Sequence, residues 1–328
     1  MSARDSVIRR FADSHGWGAA EVLPIPGDAS FRRYFRIVEG DRRAILMDAP
    51  PPEEDPQPFI DVAHYLTGQG LRAPAILAAD AAQGLVLLED FGDVRMRETV
   101  DAGSVEAERA TYAQAIETLA RLHQCPPADV APYDRAVYQR EAGLLTEWYC
   151  PARGLDVDVT GYTRAWDEVL DGMDASAPAV TVLRDYHAEN IMLLPDGAQG
   201  LLDFQDALVG DPAYDLVSLL QDARRDVSPA LEAEMIAHYC YLTRPVHDFD
   251  TAYHVLGAQR NAKIVGIFVR LWKRDGKPRY PGMIPRVWAA LERDLAHPAL
   301  APVAAWFDAN IPAELRDPAG ILGGEFAL

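Results

Sequence analysis

Cysteine is scarce in this chain, and its three copies are far apart. Cys125, Cys150 and Cys240 form no C-x-x-C pair and no Cys/His grouping, so no thiolate metal site or disulfide framework is legible and the thiols read as structural or incidental. Long apolar runs are missing as well. No segment approaches the roughly twenty uninterrupted apolar residues of a membrane span, and Met1-Ser2-Ala3-Arg4-Asp5 does not carry the apolar stretch of a secretory signal. A soluble, cytoplasmic protein is the expectation. Gly/Ser linkers, low-complexity blocks and internal repeats are also lacking. Positive charge is in deficit: the formal net charge is -19, and no basic patch offsets it, which argues against a phosphate-backbone partner. An acidic field of this kind attracts cationic small molecules, but solubility alone explains it equally well. No protein partner is evident.

What is present is length, apolar content and one chemical pattern. At 328 residues, 49% of them apolar, the chain exceeds the usual size of a single core and implies two lobes. Near its middle stand Asp185, Asn190 and Asp203, in Leu183-Arg184-Asp185-Tyr186-His187-Ala188-Glu189-Asn190 and Asp203-Phe204-Gln205. Phosphoryl transfer asks a protein to position reactants and to neutralise charge through Mg²⁺, which calls for oxygen ligands. Asp185 suits alignment of an acceptor hydroxyl and receipt of its proton; Asn190 and Asp203 suit the metal. Ala179–Leu183 and Ile191–Leu194 read as strands around the polar loop, Pro195-Asp196-Gly197 as a turn, and Gly200-Leu201-Leu202 as a strand that delivers Asp203. Any one of these polar residues alone would read as a turn former. Together, at this spacing and ahead of Gly210-Asp211-Pro212-Ala213-Tyr214-Asp215-Leu216, they form a phosphotransferase signature.

The carboxyl half resembles the aminoglycoside phosphotransferase and choline kinase superfamily, relatives of the protein kinases. That resemblance implies an α+β, protein-kinase-like bilobed fold with a small β-rich amino lobe (1–88), a hinge (89–93) and a larger, mostly helical catalytic and acceptor-binding lobe (94–328). It also implies ATP and Mg²⁺ as cofactors, and it makes Asp215 a brace for the catalytic loop. Asp28-Ala29-Ser30-Phe31-Arg32-Arg33-Tyr34-Phe35-Arg36, Met47-Asp48-Ala49-Pro50-Pro51-Pro52-Glu53-Glu54-Asp55 and Arg184-Asp185-Tyr186 are similar to the bacterial anomeric sugar kinases of cell-wall recycling. That narrower likeness, from about residue 10 to about 300, implies phosphorylation of the C1 hydroxyl of N-acetylmuramate or N-acetylglucosamine. An aminoglycoside or other small-hydroxyl kinase and a pseudokinase-like binding module stand as alternatives.

In the amino lobe, residues 4–15 read as an amphipathic helix, and Gly27-Asp28-Ala29-Ser30 as a turn in the place of a phosphate-covering loop, without a full G-x-G-x-x-G. Ser30 and Phe31 belong to that candidate nucleotide site. Kinases place a phosphate-pairing lysine on the following β-rich stretch; here Met47 takes its position, and a thioether carries no charge. Arg32 and Arg33, alternating onto opposite faces, are the two candidates to supply it, each otherwise a solvated strand arginine. Pro56–Gln69 reads as a helix. Gly84–Gly92 runs as a strand into a connector where Leu88, Glu89 and Phe91 are expected around adenine.

Farther on, Val105–His123 has the spacing of a helix with one buried face, ended by Cys125-Pro126-Pro127, and His123 reads as a packing residue. The stretch from about Ser228 to Phe307 is helical in pattern. In it Gln259, Arg260 and Lys263 either form helix-surface ion pairs or meet the N-acetyl group, hydroxyls and lactyl carboxylate of an amino sugar. His187, Gln205 and Asp206, flanking Asp185 and Asp203, complete the candidate acceptor site. Trp148, Trp166, Trp272 and Trp288 read as core residues, not as a sugar platform.

Overall fold

A computed structural model describes residues 3–26, 31–173 and 177–316. Gly27-Asp28-Ala29-Ser30, including the candidate Ser30, lie outside the described residues. The chain divides into two compact units, Met1–Ser104 with Glu189–Ala207, and Val105–Ala188 with Leu208–Leu328.

The first unit is built on an antiparallel sheet of five strands in the order β1-β2-β3-β5-β4: β1 (Glu21–Ile25), β2 (Arg33–Glu39), β3 (Arg42–Asp48), β4 (Ile76–Asp80) and β5 (Leu85–Leu88). The period of two in β2, β3 and β5 sorts the side chains. Ile37, Ala44, Leu46, Leu85 and Leu87 pack with Ile8, Phe11 and Ala12 of α1 (Ala3–Ser14) and with Trp17. Tyr34, Arg36, Ile45, Met47, Val86 and Leu88 line the opposite face, with Tyr34 opposite Met47 and Met47 opposite Val86 in register. α2 (Gln57–Gly68) and α3 (Met96–Ala102) complete the amino-terminal segment.

A hairpin of β7 (Ile191–Leu193) and β8 (Gln199–Leu201) belongs to this unit. Order along the chain would assign residues 189–207 to the second lobe, but bridges from Arg72 to Gly200 and from Arg95 to Met192 tie the hairpin here. Gly200 allows the close approach, since a Cβ there would stand 2.5 Å from the Phe91 ring.

The second unit is mostly helical: α4 (Val105–Gln124), α5 (Arg135–Ala142), α6 (Cys150–Ala152), α7 (Val159–Asp171), α8 (Ala213–Leu220), α9 (Pro229–Thr243), α10 (Phe249–Lys273), α11 (Ile284–Leu295) and α12 (Ala301–Asn310). Its only sheet among the described residues pairs β6 (Val180–Val182) with β9 (Leu208–Gly210). Asp134, Asp158, Ser228 and Asp248 accept amide hydrogens at the starts of α5, α7, α9 and α10, the short oxygen caps that open helices. α10 is central and buried nearly all round; at Gly266 a Cβ would stand 2.3 Å from the Leu144 backbone. None of the described helices is long and apolar enough to cross a membrane.

Polar groups thread this helical core. Asp294, fully buried, accepts from Gln221 (3.0 Å), Asn261 (3.2 Å) and the His254 Nδ1 (3.1 Å), and Gln221 also reaches Glu232 at 3.3 Å. The Asp294 hydrogen bond is the main cause that holds the His254 pKa above its ordinary value of 6.5, while burial raises the Asp294 carboxyl. A raised histidine pKa means tighter proton binding in the folded state, so the contribution is full below pH 6.5 and is lost as pH rises through the higher folded value. Chemical denaturation of wild type across pH 6 to 9 should therefore show falling stability on the alkaline side, and His254→Gln should flatten that slope. An unchanged slope in the variant would assign it elsewhere.

Candidate active site

In the second unit, β6 runs out at Leu183, and Arg184 adopts φ 70, a left-handed conformation costly for a side chain with a Cβ. Asp215, on the first turn of α8 and fully buried, offsets that cost: its Oδ2 accepts the Leu183 amide at 2.7 Å and its Oδ1 the Arg184 amide at 2.8 Å. The bracing role expected for Asp215 thus has its geometry. The Asp185 amide donates back to the Leu183 carbonyl, and the His187 amide to that of Asp185 (2.9 and 3.0 Å). Tyr186 is buried and donates to the Ala115 carbonyl at 2.8 Å. The Arg184 guanidinium turns inward to Glu141 and lies over the Tyr133 ring. Asp185 is left half-buried on a loop fixed from both sides. The His123 side chain is buried, its Nδ1 2.7 Å from the Tyr239 hydroxyl and its Nε2 3.9 Å from Asp215, a packing position.

The first unit carries the other two residues. Asn190 ends a short helical turn into β7, and its carbonyl accepts the Leu202 amide at 2.9 Å. Asp203 follows β8 with φ 60, held there by Phe204, which is fully buried and stacked on Phe59 of α2 with centroids 4.9 Å apart. The Asn190 amide and Asp203 carboxylate lie 3.3 Å apart, and the Gln205 amide donates to Asp203 (3.0 Å) and Asp206 (3.2 Å). Beside them Arg32 pairs with Glu54 at 3.0 Å, in the field of Asp206. Tyr34 is pushed up to about 12, first by burial, with Arg32 pulling it down and Asp203 raising it. Of the cluster Arg32, Tyr34 and Glu54, only Arg32 stands out in the sequence; Tyr34 joins it through the β2–β3 register, which sets Tyr34 opposite Met47.

The remaining nucleotide candidates fall out unevenly. Phe31 is exposed. Arg33 points to the α1 face, where it and Arg4 hold the buried Asp48 carboxylate at 2.9 and 2.8 Å. Leu88 ends β5 on the Met47 face. The Glu89 amide is taken by the Ala75 carbonyl and its carboxylate by Arg72, whereas Phe91 contributes its ring to Arg72 and Gly200.

The helix-surface position expected for Gln259, Arg260 and Lys263 is corrected. Gln259 is fully buried and donates to the Tyr138 carbonyl at 3.0 Å; Arg260 is buried and bonded to the Ser218 hydroxyl at 2.9 Å; Lys263 pairs with Glu141 at 3.0 Å and donates to Tyr214 at 3.1 Å. α10 is buried nearly all round, and Arg260, through Ser218, and Lys263, through Glu141, back the Arg184 end of the 183–187 loop. His187 is buried against Arg224, and Gln205 and Asp206 stand with Asp203.

Among the described residues no three acids, histidines or cysteines gather to hold a metal. Mg²⁺ needs fewer, since it keeps waters and takes one or two protein carboxylates along with substrate phosphates. The all-oxygen pair of the Asn190 amide and Asp203 carboxylate fits that demand.

Residues 21–252 match the APH phosphotransferase enzyme family. Among similar proteins, the N-acetylmuramate/N-acetylglucosamine kinase of Caulobacter vibrioides is 38% identical, over 96% of this chain and 99% of its own. The Pseudomonas aeruginosa protein of the same name is 40% identical, over 90% and 91%. The fold is shared with the choline kinase LicA from Streptococcus pneumoniae, with a TM-score of 0.66 at 14% identity, covering 89% of this chain and all of that one. With the family matched over most of its length and relatives this similar from end to end, the chain belongs to the phosphotransferase enzyme family.

Proposed function

We propose that this enzyme transfers the γ-phosphoryl group of ATP to the anomeric C1 hydroxyl of N-acetylmuramate or N-acetylglucosamine. The observation that carries the reading is the similarity, nearly end to end, to two kinases named for those sugars. The Asp185 loop and the Asn190–Asp203 pair support it. Asp185 orients the hydroxyl and receives its proton as the oxygen bonds to phosphorus and the bond to the ADP oxygen breaks. Asn190 and Asp203 would hold Mg²⁺, which when bound would supply neutralisation of phosphate charge. An anomeric hydroxyl is more acidic than an ordinary alcohol, so Asp185 acts more by orientation than by strong basicity.

The charge missing at Met47 comes from Arg32. No lysine precedes Lys263, so none is present in the amino-terminal segment. In kinases the phosphate-pairing lysine is itself held by a glutamate of the helix beside the sheet; Arg32 on Glu54, just ahead of α2, reproduces that pair with a guanidinium suited to bidentate phosphate binding. Around adenine the reading uses Leu88, the Glu89 carbonyl and the Phe91 amide.

The test is incubation with ATP, Mg²⁺ and, separately, N-acetylmuramate, N-acetylglucosamine, kanamycin and choline, with products identified by mass and phosphorus NMR. A sugar 1-phosphate is expected. Product with kanamycin or choline alone would leave the family standing and remove the substrate.

A further inference from the structure

The turn that follows α8, Gln221-Asp222-Ala223-Arg224-Arg225, is anchored at nearly every position. Gln221 accepts from Asn261 at 2.6 Å and donates to Asp294 at 3.0 Å. The Asp222 carboxylate accepts the Arg224 amide at 2.8 Å. The Ala223 carbonyl accepts from Arg286 at 3.2 Å, and Arg225 donates to the Tyr112 hydroxyl and to Glu108, both at 2.7 Å. Gln221, Asp222, Ala223 and Arg225 are buried, so four helices, α4, α8, α10 and α11, hold the turn. Arg224 is the one residue of the five that stays half-exposed, and its Nη1 lies 3.0 Å from the His187 Nε2. A guanidinium only donates, so His187 Nε2 accepts and the imidazole acts as a fixed rest for the cation. His187 is two residues beyond Asp185 on the same braced loop.

We propose that Arg224 determines acceptor specificity as the anion-recognising residue beside Asp185, taking the lactyl carboxylate that N-acetylmuramate carries and N-acetylglucosamine does not. The inference rests on the function proposed above and deepens it. Three cations that sequence or position brings near the loop are turned away from it: Arg184 and Lys263 inward onto Glu141, and Arg260 into the core on Ser218. Arg224 is directed toward the loop. Rigid support of this kind cuts the ordering cost of gripping a ligand, and a planar guanidinium matches a carboxylate with two parallel hydrogen bonds. The same chemistry would grip a phosphate, and the two sugars separate these cases, because both share the nucleotide.

The experiment measures kcat/KM for each sugar at saturating ATP in wild type, Arg224→Gln and Arg224→Lys, with melting temperatures as a check on folding. The expected result for Arg224→Gln is a loss of about tenfold to a hundredfold with N-acetylmuramate, the range of one charge-assisted hydrogen bond. With N-acetylglucosamine the change stays below about threefold, and Arg224→Lys is intermediate with N-acetylmuramate. An equal loss on both sugars makes Arg224 a phosphate or structural group and overturns the proposal, as does no loss on either. The methyl ester of N-acetylmuramate removes the charge from the ligand instead and needs no folded variant: wild type should discriminate against it to the same extent, and equal use of acid and ester overturns the proposal. A wild type that phosphorylates neither sugar removes the functional reading itself, and the proposal with it; one that phosphorylates both without discrimination through Arg224 removes the proposal alone.

Discussion

Asp185→Asn should lower kcat by about 10²–10⁴-fold, the range by which a positioned acid or base contributes to a proton-transfer step, while leaving ATP affinity within a few-fold of wild type. The structure makes this substitution a clean probe. The loop owes its shape to Asp215 on the Leu183 and Arg184 amides, to Tyr186 on the Ala115 carbonyl, and to backbone bonds at 183–187. Those supports run through Asp215, Tyr186 and the backbone, and Asn preserves the volume of Asp185. Because the anomeric hydroxyl gives up its proton readily, the loss belongs in the lower half of that range for the sugars and nearer the top for an ordinary alcohol acceptor. Single-turnover rates with a separate binding measurement for ATP decide the matter, and a kcat within about tenfold of wild type would remove Asp185 from the chemistry. Asp215→Asn offers the contrast: it changes the accepting groups beneath a residue held at φ 70 and should reduce kcat together with thermal stability.

Local chemistry made much of this site legible in the sequence. The spacing of Asp185, Asn190 and Asp203 between apolar runs reflects a strand, a loop and a hairpin, and the strands at 180–182, 191–193 and 199–201 lie where those runs are. The helices near 57–68 and 105–124 follow from their apolar period, and the terminator Pro126-Pro127 stands where the second one stops. Long-range pairing was not legible. That β6 pairs with β9, and β7 with β8, depends on partners distant in sequence or joined by a turn whose register only the fold sets. Arg32 and Arg33 are adjacent and chemically identical. Only the α1 face and its buried Asp48 separate one from the other. Gln259, Arg260 and Lys263 misled for a related reason: on a surface helix such residues face water or ligand, but a helix enclosed by neighbours over most of its surface turns them into internal hydrogen-bond donors.

Arg32→Ala should lower kcat/KM for ATP by about 10²–10⁴-fold, whereas Arg33→Ala should leave it nearly unchanged and act on stability instead. The register places Tyr34 opposite Met47 on the face away from α1, and Arg32, just before β2, pairs with Glu54 on that same side, near Asp203 and Asp206. Removing its two or more charge-assisted contacts with phosphate costs about 1.5–3 kcal/mol each, and tenfold corresponds to about 1.4 kcal/mol. Arg33 serves a different carboxylate. Asp48 is buried and held by Arg4 as well, so Arg33→Ala weakens a shared anchor without leaving the acid alone. Arg32→Lys separates charge from shape and should keep part of the activity. The sharper test combines Arg32→Ala with Met47→Lys. Met47 is fully buried on the Tyr34 face, and a lysine there restores charge at the strand position that kinases use, so the double variant should regain ATP affinity that the single variant lost. If Arg32→Ala binds ATP as wild type does, the phosphate-pairing charge lies elsewhere in the chain, and Glu54 and Tyr34 are then the partners that keep Arg32 in place for packing alone.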